Sequence, residues 1–143
     1  MRPALGIPLL LALAVSAPGQ EKTTLQPVRS WTGRVSEADK EGLIKEAPTT
    51  GYVVDQAALD KLWRAWRGDE KSPMVDFRRE AVFVNTVKGP NQLKVAYRVD
   101  GAGDLKTMAE ATAVAGPGFS YVVDVLPRAA FKTFRGKALP RPE

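Results

Sequence analysis

The chain has 143 residues, a formal net charge of +5, and neither cysteine nor histidine. A length of this order predicts one domain. The missing residue types exclude disulfides, Ser-His-Asp and Cys-His catalytic sites, and zinc sites built on these ligands. Paired carboxylates remain the main chemical route to catalysis, but the acidic residues are scattered along the chain. We therefore expect no catalytic residue, cofactor or metal.

Residues 1–19 have the layout of a secretory signal peptide. Arg2 precedes an apolar run at 9–15, and small residues stand at Ala17 and Gly19. This order predicts export and cleavage after Gly19. The apolar run is much shorter than the roughly 20 residues of a membrane-spanning helix. We therefore expect a secreted or periplasmic protein with no transmembrane segment.

The next part of the chain is predicted as a leader at 20–47 that precedes the folded domain. It is mostly polar, and "WTGRV" allows a short strand at 31–35, in which Gly33 marks a bulge or a turn. A single domain is predicted at 48–139, followed by a tail at 140–143.

The strongest pattern in the domain is an amphipathic helix. A strand at 51–54 is followed by Asp55, whose carboxylate can accept the unpaired amides of a first helical turn. Gly68 is predicted to end the helix. The apolar residues between them recur at helical spacing and predict one buried stripe, Leu59, Leu62, Trp63 and Trp66. Trp66, near the helix end, is expected to be the more exposed of the two indoles.

The second half of the chain predicts strands joined by short turns. The turn sequences are "KGPN", "DGAGD" and "GPG", and the strands are predicted at 81–87, 92–99, 105–115 and 119–126. Strict apolar alternation at 92–99 is typical of a half-solvated antiparallel strand. The predicted fold class is α+β, with an antiparallel meander sheet of about 5–6 strands and one main amphipathic helix packed on it.

Two residues between the helix and the strands join the predicted framework. Asp76 lies between Val75 and Phe77, so its carboxylate should point away from their side chains. Its nearest charged neighbours are Arg78 and Arg79, which suit an ion pair or a turn, so a bond to backbone amides is favoured over catalysis. We therefore expect a structural framework of Leu59, Leu62, Trp63, Trp66, Asp76 and Phe77.

Basic residues supply the predicted interaction surface. The segment 127–143 holds five basic residues against one acidic residue, so the rest of the exported chain is close to neutral. Arg78 and Arg79 add a second basic pair. No nucleic-acid-binding module is recognisable, and we expect no nucleic-acid partner. The predicted contact residues are Arg78, Arg79, Arg128, Lys132, Arg135 and Lys137.

A strand, "DQAALDKLWRAWR", "PMVDF" and "REAVFV" follow one another from residue 52 onward. This order resembles the C-terminal domain of the PrcB family, which is named for the accessory subunit of a surface protease complex. The match rests on Leu62, Trp63, 75–77 and 82–84, and "LPRAAFKTF" near the end of the chain is a weaker similarity. The resemblance implies an exported accessory role and no catalytic residues. The sequence departs from the family at "GPNQLKVAY", which keeps only part of a Gly-Gly-aromatic step.

The functional hypothesis is an exported, non-catalytic protein-interaction or accessory module, with a protease complex as one partner to consider. Sheet edges and the basic segment are its expected contact surfaces. A carboxylate-based hydrolase is the first alternative. The second alternative is binding of an anionic cell-surface polymer through the basic C-terminal segment.

Overall fold

A computed structural model describes residues 22–142, and the predicted signal peptide lies outside this range. No helix within it is long and apolar enough to cross a membrane. The strands are β1 (Thr23–Leu25), β2 (Arg29–Val35), β3 (Tyr52–Val53), β4 (Glu80–Lys88), β5 (Leu93–Val99), β6 (Asp104–Ala111), β7 (Phe119–Pro127) and β8 (Thr133–Phe134). The helix α1 spans Gln56–Arg67, and 3-10 helices span Ala38–Glu46 and Arg128–Ala130.

The strands form two four-stranded sheets rather than one meander. The helix-covered sheet has the order β2-β7-β4-β3, and the outer sheet has the order β1-β5-β6-β8. All pairs are antiparallel except β6 with β8. The prediction of a single sheet of about 5–6 strands is therefore wrong, and the fold is a sheet-rich α+β fold. The chain changes sheet between β4 and β5, and β7 returns to lie between β2 and β4.

The predicted helix is confirmed together with both of its ends. The Asp55 carboxylate accepts a hydrogen bond from the Ala58 amide at 2.8 Å, and Gly68 ends the helix with φ 63°. All four stripe residues are buried, as predicted. Trp66 is the more exposed of the two indoles, as expected, but at 8% accessible against 3% for Trp63 it is still buried, and its Nε1 donates to the Leu43 carbonyl at 2.8 Å.

The hydrophobic residues form two cores, one on each face of the helix-covered sheet. The α1 stripe packs on one face with Trp31, whose ring meets that of Trp63 edge-on at 5.3 Å. The opposite face packs on the outer sheet. Because strand side chains alternate between faces, neighbouring residues of β4 enter different cores, Val82 and Val84 the first, Ala81 and Phe83 the second.

The predicted leader contributes strands to both sheets. Strand β2 pairs with β7 along its whole length, and β1 pairs with β5. The folded unit therefore starts before residue 48. Gly33 lies at a regular strand position opposite Tyr121, not in a bulge or turn. A Cβ atom at Gly33 would stand 2.2 Å from the Tyr121 hydroxyl, so glycine is required for the tyrosine ring to lie across β2.

A buried polar group crosses the second core. The Tyr97 hydroxyl donates to Oδ2 of Asp124 at 2.7 Å, and the Asn85 amide donates to the same hydroxyl at 3.3 Å. Oδ1 of Asp124 is buried and has no hydrogen-bond partner among residues 22–142. Burial, together with the negative charge of Asp124, raises the pKa of Tyr97 above the ordinary value for tyrosine.

Replacing Trp63 tests the first core. Trp63 is 3% accessible, so Trp63→Ala should lower the free energy of unfolding by about 3–5 kcal/mol, through lost burial and the cavity left behind. Urea denaturation would measure this, with exposed Lys61→Ala on the same helix as the control. A denaturation midpoint equal to that of the wild type would contradict the packing of α1.

Tyr97 should make stability fall at alkaline pH. Above about pH 10 the unfolded chain loses the phenolic proton that the folded state retains, so the free energy of unfolding decreases as pH rises. Tyr97→Phe removes this term and leaves Asp124 without its donor, at a cost near neutral pH of about 1–3 kcal/mol. The difference in unfolding free energy between wild type and variant should therefore shrink above pH 10. A constant difference would be inconsistent with the raised pKa.

Candidate interaction surface

A groove of about 950 Å³ lies between the start of β4 and the C-terminal segment. We call it the basic groove, because five of its ten lining residues are basic and the other five are apolar or proline. None of the lining residues within 22–142 is acidic. The basic ones are Arg78, Arg79, Arg128, Lys132 and Arg141, and the others are Ala129, Phe131, Ala138, Leu139 and Pro142.

Asp76 shapes the turn that presents the first two arginines. Val75 and Phe77 are buried, whereas Asp76 is exposed between them. Its carboxylate accepts a hydrogen bond from the Arg78 amide at 3.1 Å, as expected from the sequence. The Asp76 carbonyl accepts from the Arg79 amide at 2.9 Å. These bonds bring both arginines to the entrance of β4, and Asp76 acts as framework.

Arg128 joins this turn to the opposite wall of the groove. Its backbone amide donates to the Arg79 carbonyl at 2.8 Å. Its guanidinium donates from Nε to the Glu80 carbonyl at 3.0 Å and from Nη2 to the Pro140 carbonyl at 2.9 Å. Both partners are neutral, and the guanidinium forms no ion pair within residues 22–142. Burial and the nearby charge of Arg141 lower the pKa of Arg128.

The structure brings four of the six predicted contact residues together. Arg78, Arg79, Arg128 and Lys132 line the basic groove, although they come from two distant parts of the chain. Arg135 and Lys137 do not. The Arg135 guanidinium instead lies over the Phe134 ring, 4.9 Å from its centroid.

The sequence prediction missed three features of the groove. Arg141 stands in the basic segment but was not among the predicted contact residues. Leu139 and Phe131 belong to the second core and also line the groove, so their apolar side chains could not be recognised as part of a surface from sequence spacing. Arg141 could have been included from the count of basic residues in the segment.

Asp104, which the sequence suggested was part of a turn, holds the C-terminal segment in place. One carboxylate oxygen accepts from the Thr133 hydroxyl at 2.7 Å and from the Gly136 amide at 2.8 Å. The other forms an ion pair with Lys106 at 2.5 Å. Lys106 first, then Thr133 and Gly136, lower the pKa of Asp104 to about 2. The carboxylate is therefore charged at neutral pH. Its hydrogen bonds hold Thr133 and Gly136 of the C-terminal segment against β6.

A second cavity bears on the hydrolase alternative. Glu46 and Asp60 both line a space of about 510 Å³ beside α1. Hydrogen bonds from Ser72 and Gln56 lower the pKa of Asp60, whereas a carboxyl acting as a general acid needs a raised one. Glu46 forms an ion pair with Lys61 at 3.5 Å. Glu46 is thus held by a lysine and Asp60 by two neutral side chains.

Removing the Asp104 carboxylate should loosen the C-terminal segment. In Asp104→Ala the Gly136 amide loses its acceptor, so amide hydrogen exchange at 133–137 should accelerate while exchange in α1 stays unchanged. The control is Asp69→Ala, which removes an exposed carboxylate from the turn after α1. Equal exchange in the Asp104 variant and the wild type would exclude this role.

Comparison of the chain with protein-family models, curated proteins and solved structures finds no significant match. The resemblance to the PrcB family therefore stays a prediction from the sequence.

Proposed function

We propose that this protein is an exported, non-catalytic interaction module that binds a partner protein through the basic groove. The partner contributes negative charge, and the groove supplies a positive surface with an apolar floor. This function needs no chemistry from the chain itself. It requires only a rigid fold that holds the two walls of the groove at a constant separation.

The main support is the concentration of unpaired positive charge. Within residues 22–142, Arg78, Arg128, Lys132 and Arg141 form no ion pair. Arg79 reaches Asp76 only at 3.8 Å, and both side chains are largely exposed, so the pair contributes little to stability. Like charges gathered in a cleft produce a local positive potential that attracts anions and speeds their association.

The resemblance to the PrcB family suggests one kind of partner, a protease complex of the cell surface. The basic groove is compatible with such a role because accessory subunits work through contact surfaces. Most residues that carry the resemblance belong to the first core: Leu62, Trp63, Val75, Phe77, Val82 and Val84. Phe83 belongs to the second core, and Asp76 shapes the turn before β4. They support a shared framework, and the choice of partner depends on the groove.

Reversing charges in the groove tests the proposal. Arg78→Glu with Lys132→Glu should weaken capture of the partner from the exported proteins of the source cells roughly tenfold or more. Both side chains are exposed, so the fold should persist, and circular dichroism would check this. Quantitative mass spectrometry of the captured proteins gives the measurement.

The matched control is Lys88→Glu with Arg98→Glu, which changes the net charge equally at exposed positions outside the groove. We expect at least one partner protein to be captured by the control variant and not by the groove variant. Identical captured sets for both variants would refute the basic groove as the contact surface.

A further inference from the structure

We propose that the occupant of the basic groove is an acidic peptide segment in which carboxylate side chains adjoin apolar ones. This inference rests on the proposed function and adds the chemistry of the ligand. It commits to a segment of a protein, and an anionic polymer becomes an outcome of the test.

The fixed guanidinium of Arg128 supplies the anchoring point. Two neutral carbonyls, those of Glu80 and Pro140, hold its Nε and Nη2 atoms. Its Nη1 makes no hydrogen bond within residues 22–142 and is left to donate to a ligand. Because the side chain is already held, an arriving anion does not have to order it, and less conformational entropy is lost on binding.

The arginines of the basic groove favour binding of an anion that can accept two parallel hydrogen bonds. Four of the five basic lining residues are arginines, whose flat guanidinium group can donate two parallel hydrogen bonds to one carboxylate or phosphate. Arg141 lies close enough for its charge to lower the pKa of Arg128. An anion between the two would relieve that repulsion, so binding should be strongest where both arginines face one acidic group.

The apolar side chains of the lining favour a peptide over an anionic polymer as the ligand. Phe131 and Leu139 extend the second core into the groove, beside Ala129, Ala138 and Pro142. A sulfated or phosphorylated polymer has little apolar surface to place against these side chains, whereas a peptide can set a leucine or phenylalanine there and gain from its burial. The mixed lining therefore fits alternating acidic and apolar side chains.

Synthetic peptides test the inference directly on the full folded chain. The first peptide alternates glutamate with leucine, the second replaces glutamate by glutamine, and the third replaces leucine by serine. Isothermal titration should show binding of the first peptide and an affinity roughly tenfold or more lower for each of the others. Polyphosphate and dextran sulfate form the polymer arm, compared at equal total charge.

Two variants locate the binding. Arg78→Ala with Lys132→Ala should weaken the first peptide roughly tenfold, whereas Lys88→Ala with Arg98→Ala should leave its affinity unchanged. Arg128→Lys keeps the charge and removes the planar fork, so it should also weaken the peptide. Thermal unfolding checks that the Arg128→Lys variant is folded. If it is not, the result for Arg78→Ala with Lys132→Ala decides the outcome.

The results that overturn the inference are distinct from those that overturn the proposed function. Equal affinity for the leucine and serine peptides, or tighter binding of either polymer, would exclude an acidic-apolar segment as the ligand. Failure of the first peptide to bind would also exclude such a segment. In each case the charge-reversal experiment could still show a protein partner at the groove. If the charge-reversal variant captures the same proteins as its control while the first peptide still binds to the wild type, the proposed function is rejected instead.

Discussion

Strand β7 runs through the middle of the protein, and every side chain from Phe119 to Leu126 is buried. One face of the strand packs under α1 and the other under the outer sheet, so its two sets of alternating side chains enter two different cores. A strand covered on both faces needs layers on either side. The positions of the helix, the outer sheet and the paired strand β2 all follow from this burial.

The second core contains a polar contact that also relates the two sheets. Tyr97 belongs to the outer sheet and Asp124 to the helix-covered sheet, and the hydrogen bond between them spans the apolar space. A buried carboxylate carries a desolvation cost that its contacts only partly offset. We interpret the pair as a determinant of how the sheets face each other, because a shifted packing would leave both groups without partners.

The basic groove depends on these layers although it lies at their margin. Phe131 and Phe134 are anchored in the second core, and Asp104 fixes the turn after them. The C-terminal wall is thereby held against the entrance of β4, where Arg128 bridges the two. A surface shaped for stability alone would mix acidic residues among the basic ones. Among residues 22–142 the basic groove lacks such mixing, and its uncompensated charge is the property on which the proposed binding function rests.

The sequence by itself determined the local elements whose causes lie within a few residues. Asp55, the apolar stripe and Gly68 define α1, because capping, helical periodicity and chain reversal act over one or two turns. The alternation at Tyr97 and Val99 likewise identified the buried face of β5. Only the tertiary structure decided which sheet each strand joins. Turn residues reverse the chain without specifying its next neighbour, and the pairing of β7 with β2 and β4 depends on burial over long separations. The same reason applies to the groove. Arg78 and Arg128 line it together although they are far apart in the chain, whereas the Arg135 guanidinium lies over the Phe134 ring.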